Sequence, residues 1–126
     1  MALPAKLQND LRQFQRLQQD LGAVSQQRLQ FDLKLREITH TLEELKTIPE
    51  DAGLYRPIGS LLVRAKSRQE VVDLLTEEKE TLEVRLKAAE RQENGLKERY
   101  STMQRELSDA LQAAGVAPAG AATGEP

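Results

Sequence analysis

A chain of 126 residues with two Phe, two Tyr and no Trp lacks the aromatic bulk of a thick globular core, so its burial must come from a long seam of smaller apolar side chains. A net charge of −2 with 30% charged residues of mixed sign gives no basic excess for nucleic acid, and Arg12, Arg16, Arg28, Lys34 and Arg36 are too interspersed with acids to form a strip. The lack of cysteine excludes disulfides and thiolate metal sites and is compatible with a reducing compartment, while no apolar run approaches the roughly 20 residues that span a bilayer and no signal-peptide core opens the chain.

The first predicted element is a long helix over 4–47, with Pro4 in its first turn, where a missing N–H does no harm. Leu7, Phe14, Leu21, Arg28, Leu35 and Leu42 fall at heptad a positions, and Leu3, Asp10, Leu17, Val24, Phe31, Ile38 and Leu45 at d. Such a repeat of about 3.5 residues keeps one stripe facing a partner and specifies a left-handed coiled coil. Pro49 is expected to end this helix, because the residue before a proline is pushed out of the α region.

A second helix is predicted over 68–112. It opens on the capping box Ser67-Arg68-Gln69-Glu70, in which Ser hydroxyl and Glu carboxylate satisfy orphan N–H groups reciprocally. Its a positions are Val72, Lys79, Leu86, Glu93, Tyr100 and Leu107; its d positions are Leu75, Leu82, Ala89, Leu96, Met103 and Ala110. Folded back on the first, it shares one register without insertion, from Leu45 with Val72 through Phe14 with Met103 to Leu7 with Ala110. The fold class is therefore mainly α, a long antiparallel two-helix coiled coil. Asp10, Arg28, Lys79 and Glu93 are single polar seam residues of the kind that fix register, and Arg28 and Glu93 are expected to pair. Gly22 and Gly95 share one level off the seam and read either as tolerated surface glycines or as a soft point, the second raised by the turn-prone Asn94-Gly95. Gly115 is expected to cap the helix, closing a domain at 1–114, and the Gly/Ala/Pro tail over 115–126 is expected to be disordered.

The connector is longer than a helix–helix turn needs. Residues 48–66 read IPEDAGLYRPIGSLLVRAK, a short turn followed by a β-hairpin over 54–64. Gly59-Ser60 suits a type II′ turn, and Pro57 belongs at an edge or bulge. A lone hairpin carrying Leu54, Tyr55, Ile58, Leu61, Leu62 and Val63 is marginal in water and an aggregation edge, so it is expected to join the sheets of other subunits.

The stretches IPEDAGLYRPIGSLLVRAKS and LTEEKETLEVRLKAAERQE resemble the beta-type subunit of prefoldin, the archaeal-like hexameric co-chaperone. Tyr55-Arg56-Pro57-Ile58-Gly59, Leu61-Leu62-Val63 and Leu82-Glu83-Val84-Arg85-Leu86 carry the resemblance, and the connector has room for one hairpin, as in beta-type subunits. The resemblance implies a cytoplasmic hetero-hexamer in which hairpins of alpha-type and further beta-type subunits form intersubunit β-barrels. It implies that coiled-coil tips hold unfolded client proteins and deliver them to a group II chaperonin without ATP or other cofactor. At the open ends Leu3, Leu7, Leu11, Phe14, Met103, Leu107 and Leu111 are the candidate client-binding residues, with Leu11 and Leu111 just outside the strict seam. Leu and Met adapt to many partners, although the same residues also read as the plain end of a coiled coil.

No catalytic residue and no metal site is expected. His40 is the single histidine, at a water-facing f position, and Glu43-Glu44 and Glu77-Glu78 read as solvated faces paired with Lys46 and Lys79. No P-loop, dinucleotide fingerprint or zinc spacing occurs. The rival to a co-chaperone is a structural coiled-coil adaptor that binds one specific folded partner; neither reading calls for nucleic acid or a membrane.

Overall fold

A computed structural model describes residues 3–115. The elements run α1 (Ala5–Leu45), β1 (Tyr55–Ile58), β2 (Leu61–Arg64) and α2 (Arg68–Ala113). The chain forms two compact units, one joining the start of α1 up to Gln27 to α2 from Ala89 onward, the other comprising Arg28–Ala88.

In the first unit the helix segments run antiparallel and bury Leu7, Leu17 and Val24 against Ala89, Leu107 and Leu111. Phe14 stacks on Tyr100, ring centroids 4.9 Å apart at 28°, and Gln18 Nε2 donates to the Tyr100 hydroxyl at 3.4 Å. In the second unit Ile38 and Leu45 of α1 and Leu82 of α2 are buried, and Lys34 meets Glu78 at 3.8 Å on the flank. Every predicted a and d residue is buried or half-buried except Ala110, which is exposed. Leu111 takes its place at 7% exposure, so Leu7 packs with Leu107 and Leu111 rather than with Ala110. A helix of 3.6 residues per turn drifts about 20° per heptad from a strict seam, and near the end of α2 the larger apolar side chain gains most by following that drift.

The helix ends follow local chemistry. α1 stops at Leu45, short of the predicted residue 47, because the Lys46, Thr47 and Ile48 amides donate to carbonyls three residues back, a tightened turn ahead of Pro49. A hydrogen bond from the Ala52 amide to the Pro49 carbonyl then closes the expected short turn at 3.1 Å. At the start of α2 the Glu70 amide donates to Ser67 Oγ at 3.1 Å, as a capping box requires. The return bond differs from the expectation: Glu70 Oε2 accepts the Lys66 amide, one residue before Ser67, at 2.7 Å. The carboxylate leans that way because its other oxygen meets Arg56 of β1 at 3.4 Å. Gly115 holds φ +82° just past α2, and its amide bonds the Gln112 carbonyl. The rest of the predicted tail, 116–126, lies outside the described residues.

Both helices pass their glycines without interruption. Gly22 and Gly95 are exposed, neither has a positive φ, and a Cβ at either would meet nothing within 4 Å. Asn94-Gly95 makes no turn because the apolar seam positions on either side, Ala89 before it and Leu96 and Tyr100 after it, keep the same face packed and outweigh a local preference of about 1 kcal/mol.

Candidate assembly and client-contact surfaces

The hairpin is shaped by its turn. Gly59 has φ +59° and Ser60 does not share the positive region, which is the type II′ geometry whose twist matches paired strands. The strands pair antiparallel with Tyr55 opposite Arg64, Arg56 opposite Val63, Pro57 opposite Leu62 and Ile58 opposite Leu61. Directly opposed residues share a face, so Tyr55, Pro57 and Leu62 line one side and Ile58, Leu61 and Val63 the other. Neither side is covered by any of the described residues. Leu62 is 73% exposed, Leu61 66% and Tyr55 60%; Ile58 and Val63 are exposed as well, while Leu54 and Arg56 are half-buried.

The foot of the hairpin is held firmly. The Ala65 amide donates to the Leu54 carbonyl at 2.8 Å, and the Ala65 side chain is buried. Arg56 is tied to Glu70, and the Arg68 guanidinium donates to the Ile48 carbonyl, linking the start of α2 to the segment ahead of β1. In the sequence pattern Glu70 appears only as a cap, and Arg56 and Arg68 have no evident partner. Alternation along β1 places Arg56 on the same face as Ile58, but its reach to α2 depends on how the hairpin leans, which no local pattern encodes.

In the first unit the candidate client residues come together. Leu7, Leu107 and Leu111 form a buried cluster, with Leu3, Leu11, Phe14 and Met103 packed half-buried around it. Tyr100, not among the candidate client residues, stacks on Phe14 beside them. Its a position and its place one helical turn before Met103 were available as a signal. As placed, the cluster's three central leucines satisfy one another, and its four half-buried members form a rim to which another apolar chain has access.

Asp10, Glu93 and Lys79 of the seam keep polar or solvent-facing surroundings. Asp10, half-buried, accepts Lys6 at 3.0 Å, and Glu93, 6% exposed, lies 3.8 Å from Lys97. Lys79 is half-buried beside a groove of about 320 Å³ lined also by Leu42, Leu45 and Val72. Of the acidic pairs, Glu43 meets Lys46 at 3.2 Å, whereas Glu78 meets Lys34 rather than its neighbour Lys79. His40 is exposed with Glu44 3.6 Å away. Among the described residues no group of three or more His, Asp or Glu is placed to hold a metal ion, and no helix is long and apolar enough to cross a membrane.

Two long helices joined by one uncovered apolar hairpin define a class of coiled-coil subunit, mainly α, with its sheet reduced to a single two-stranded connector. Residues 8–114 match the prefoldin subunit family. The chain is 41% identical over 109 residues to the prefoldin subunit beta of Archaeoglobus fulgidus, covering 86% of this chain and 93% of that one. It is 38% identical over 109 residues to the prefoldin subunit beta of Thermococcus kodakarensis, covering 86% and 92%. The crystal structure of the prefoldin beta subunit from Thermococcus strain KS-1 superimposes with a TM-score of 0.76 at 37% identity, over 87% of this chain and 96% of that one. The chain belongs to the prefoldin family as a beta-type subunit, a co-chaperone and not an enzyme.

Proposed function

We propose that this chain joins alpha-type and further beta-type subunits in a cytoplasmic hetero-hexamer, holds unfolded proteins at its coiled-coil tips, and passes them to a group II chaperonin without ATP. The observation that carries the assembly reading is the hairpin, which leaves Tyr55, Ile58, Leu61, Leu62 and Val63 exposed on two faces. Covering them contributes on the order of 10 kcal/mol at about 1.5–3 kcal/mol per side chain, and hairpins of other subunits, closing into β-barrels, are the simplest cover.

The tip reading is supported by the composition of the terminal cluster. Leu3, Leu11, Phe14 and Met103 are half-buried, while Leu7, Leu107 and Leu111 beneath them become available as the helix ends fray. Unbranched and γ-branched side chains repack around many sequences, which suits broad and weak capture of non-native chains. Removing residues before Gly22 together with those after Gly95 tests this. The shortened chain is expected to enter the hexamer with its alpha-type partner and to lose suppression of client aggregation. Full suppression by the shortened assembly would overturn the tip assignment.

A further inference from the structure

The two outer edges of the hairpin differ in hydrogen-bonding capacity, and one residue makes the difference. In an antiparallel pair successive residues direct their N–H and C=O alternately inward, to the partner strand, and outward. The Ala65 amide bonds the Leu54 carbonyl, so that pair faces inward. Along the register the pairs Arg56–Val63 and Ile58–Leu61 then face inward too, while Tyr55 and Pro57 of β1 and Leu62 and Arg64 of β2 face outward.

On the β2 edge, Leu62 and Arg64 each present a donor and an acceptor. The next outward donor, the Lys66 amide, is already taken by Glu70 Oε2 at 2.7 Å, so the open edge ends there. On the β1 edge Tyr55 presents both groups but Pro57 only its carbonyl. An outward position is also the one place in this strand where proline costs the hairpin no internal bond.

We propose that the hairpin makes two unequal joints with neighbouring subunits: β2 holds an adjacent strand through Leu62 and Arg64, and Pro57 makes β1 the weaker joint, the one that opens first. This rests on the hairpin being the assembly element. The occupant is an extended strand of another subunit's hairpin, because an edge flanked by apolar side chains on both faces is matched by a strand that is apolar on both faces, as this chain's own strands are. A proline at one edge also restrains open-ended stacking of hairpins, which two complete edges would permit.

Residue-resolved amide exchange on the complex formed with an alpha-type subunit tests the proposal. In the assembly the Leu62 and Arg64 amides are expected to exchange at least about tenfold more slowly than the Tyr55 amide, the effect of one well-made hydrogen bond more or less. Pro57→Val supplies the missing donor, and is expected to slow Tyr55 exchange and subunit dissociation several-fold, on the order of tenfold. Equal protection of Tyr55, Leu62 and Arg64 in the wild type would overturn the inequality, as would unchanged dissociation of the Pro57→Val assembly. If assembly slowed none of the three amides, the hairpin would not be the assembly element and both readings would fall together.

Discussion

Glu70 serves three neighbours at once: its amide is fixed by Ser67, one carboxylate oxygen takes the Lys66 amide, and the other meets Arg56. It therefore fixes the helix start and the lean of the hairpin together. Glu70→Ala is expected to destabilise the chain by about 1–2 kcal/mol, most of it from the lost cap and little from the partly exposed ion pair. Glu70→Gln keeps an acceptor for Lys66 and should cost less than half as much. Urea unfolding followed by circular dichroism measures both, and equal losses would mean that the charge, not the cap, holds the foot of the hairpin. Capping chemistry at Ser67-Arg68-Gln69-Glu70 was legible because it is local. The reach to Arg56 was not, because it depends on residues brought together only once the connector is folded.

At the scale of the helices, the heptad pattern carried nearly all the information. It located the seam, the antiparallel pairing and the shared level of Gly22 and Gly95, since a side-chain period survives folding unchanged. It missed the exchange of Ala110 for Leu111, because an ideal repeat carries no record of where the supercoil relaxes. It also could not give the Phe14–Tyr100 stack, since aromatic rings reach diagonally past their own layer. The turn signals at Asn94-Gly95 and Gly59-Ser60 were of similar local strength. Only the second makes a turn, because there the flanking residues alternate as strands while around Gly95 they keep the helical face. The glycines test this reading of the helices. With open space at both Cβ positions and helical backbones, Gly22→Ala and Gly95→Ala are each expected to stabilise by about 1 kcal/mol. A soft point at this level predicts instead faster amide exchange around both glycines, reduced by the double variant. Unchanged exchange there alongside higher stability leaves them as plain surface positions.

At the scale of the whole molecule, the unsatisfied surface has a clear location. The helices cover their own seams, but the hairpin presents apolar side chains on both faces and main-chain groups on both edges, a state that a single chain in water cannot hold cheaply. The proposed covering by other subunits would account for a connector so rich in Leu, Ile, Val and Tyr, which the bend of an adaptor does not need. The family was foreshadowed by the run from Tyr55 to Val63, whereas the proposed inequality of the two edges needed the register, since the placement of Pro57 depends on which residues face inward.

Assembly through the hairpin and the holding of non-native proteins without nucleotide are the two halves of the proposed function. Multi-angle light scattering with and without an alpha-type subunit, run beside light scattering of an aggregating unfolded protein, tests both halves in one set of samples. A hexamer-sized particle with the partner, and suppressed aggregation in the absence of ATP, are the expected results. A chain that stays a monomer or simple dimer and leaves aggregation unchanged would contradict the proposed function, and would point to an adaptor with one folded target.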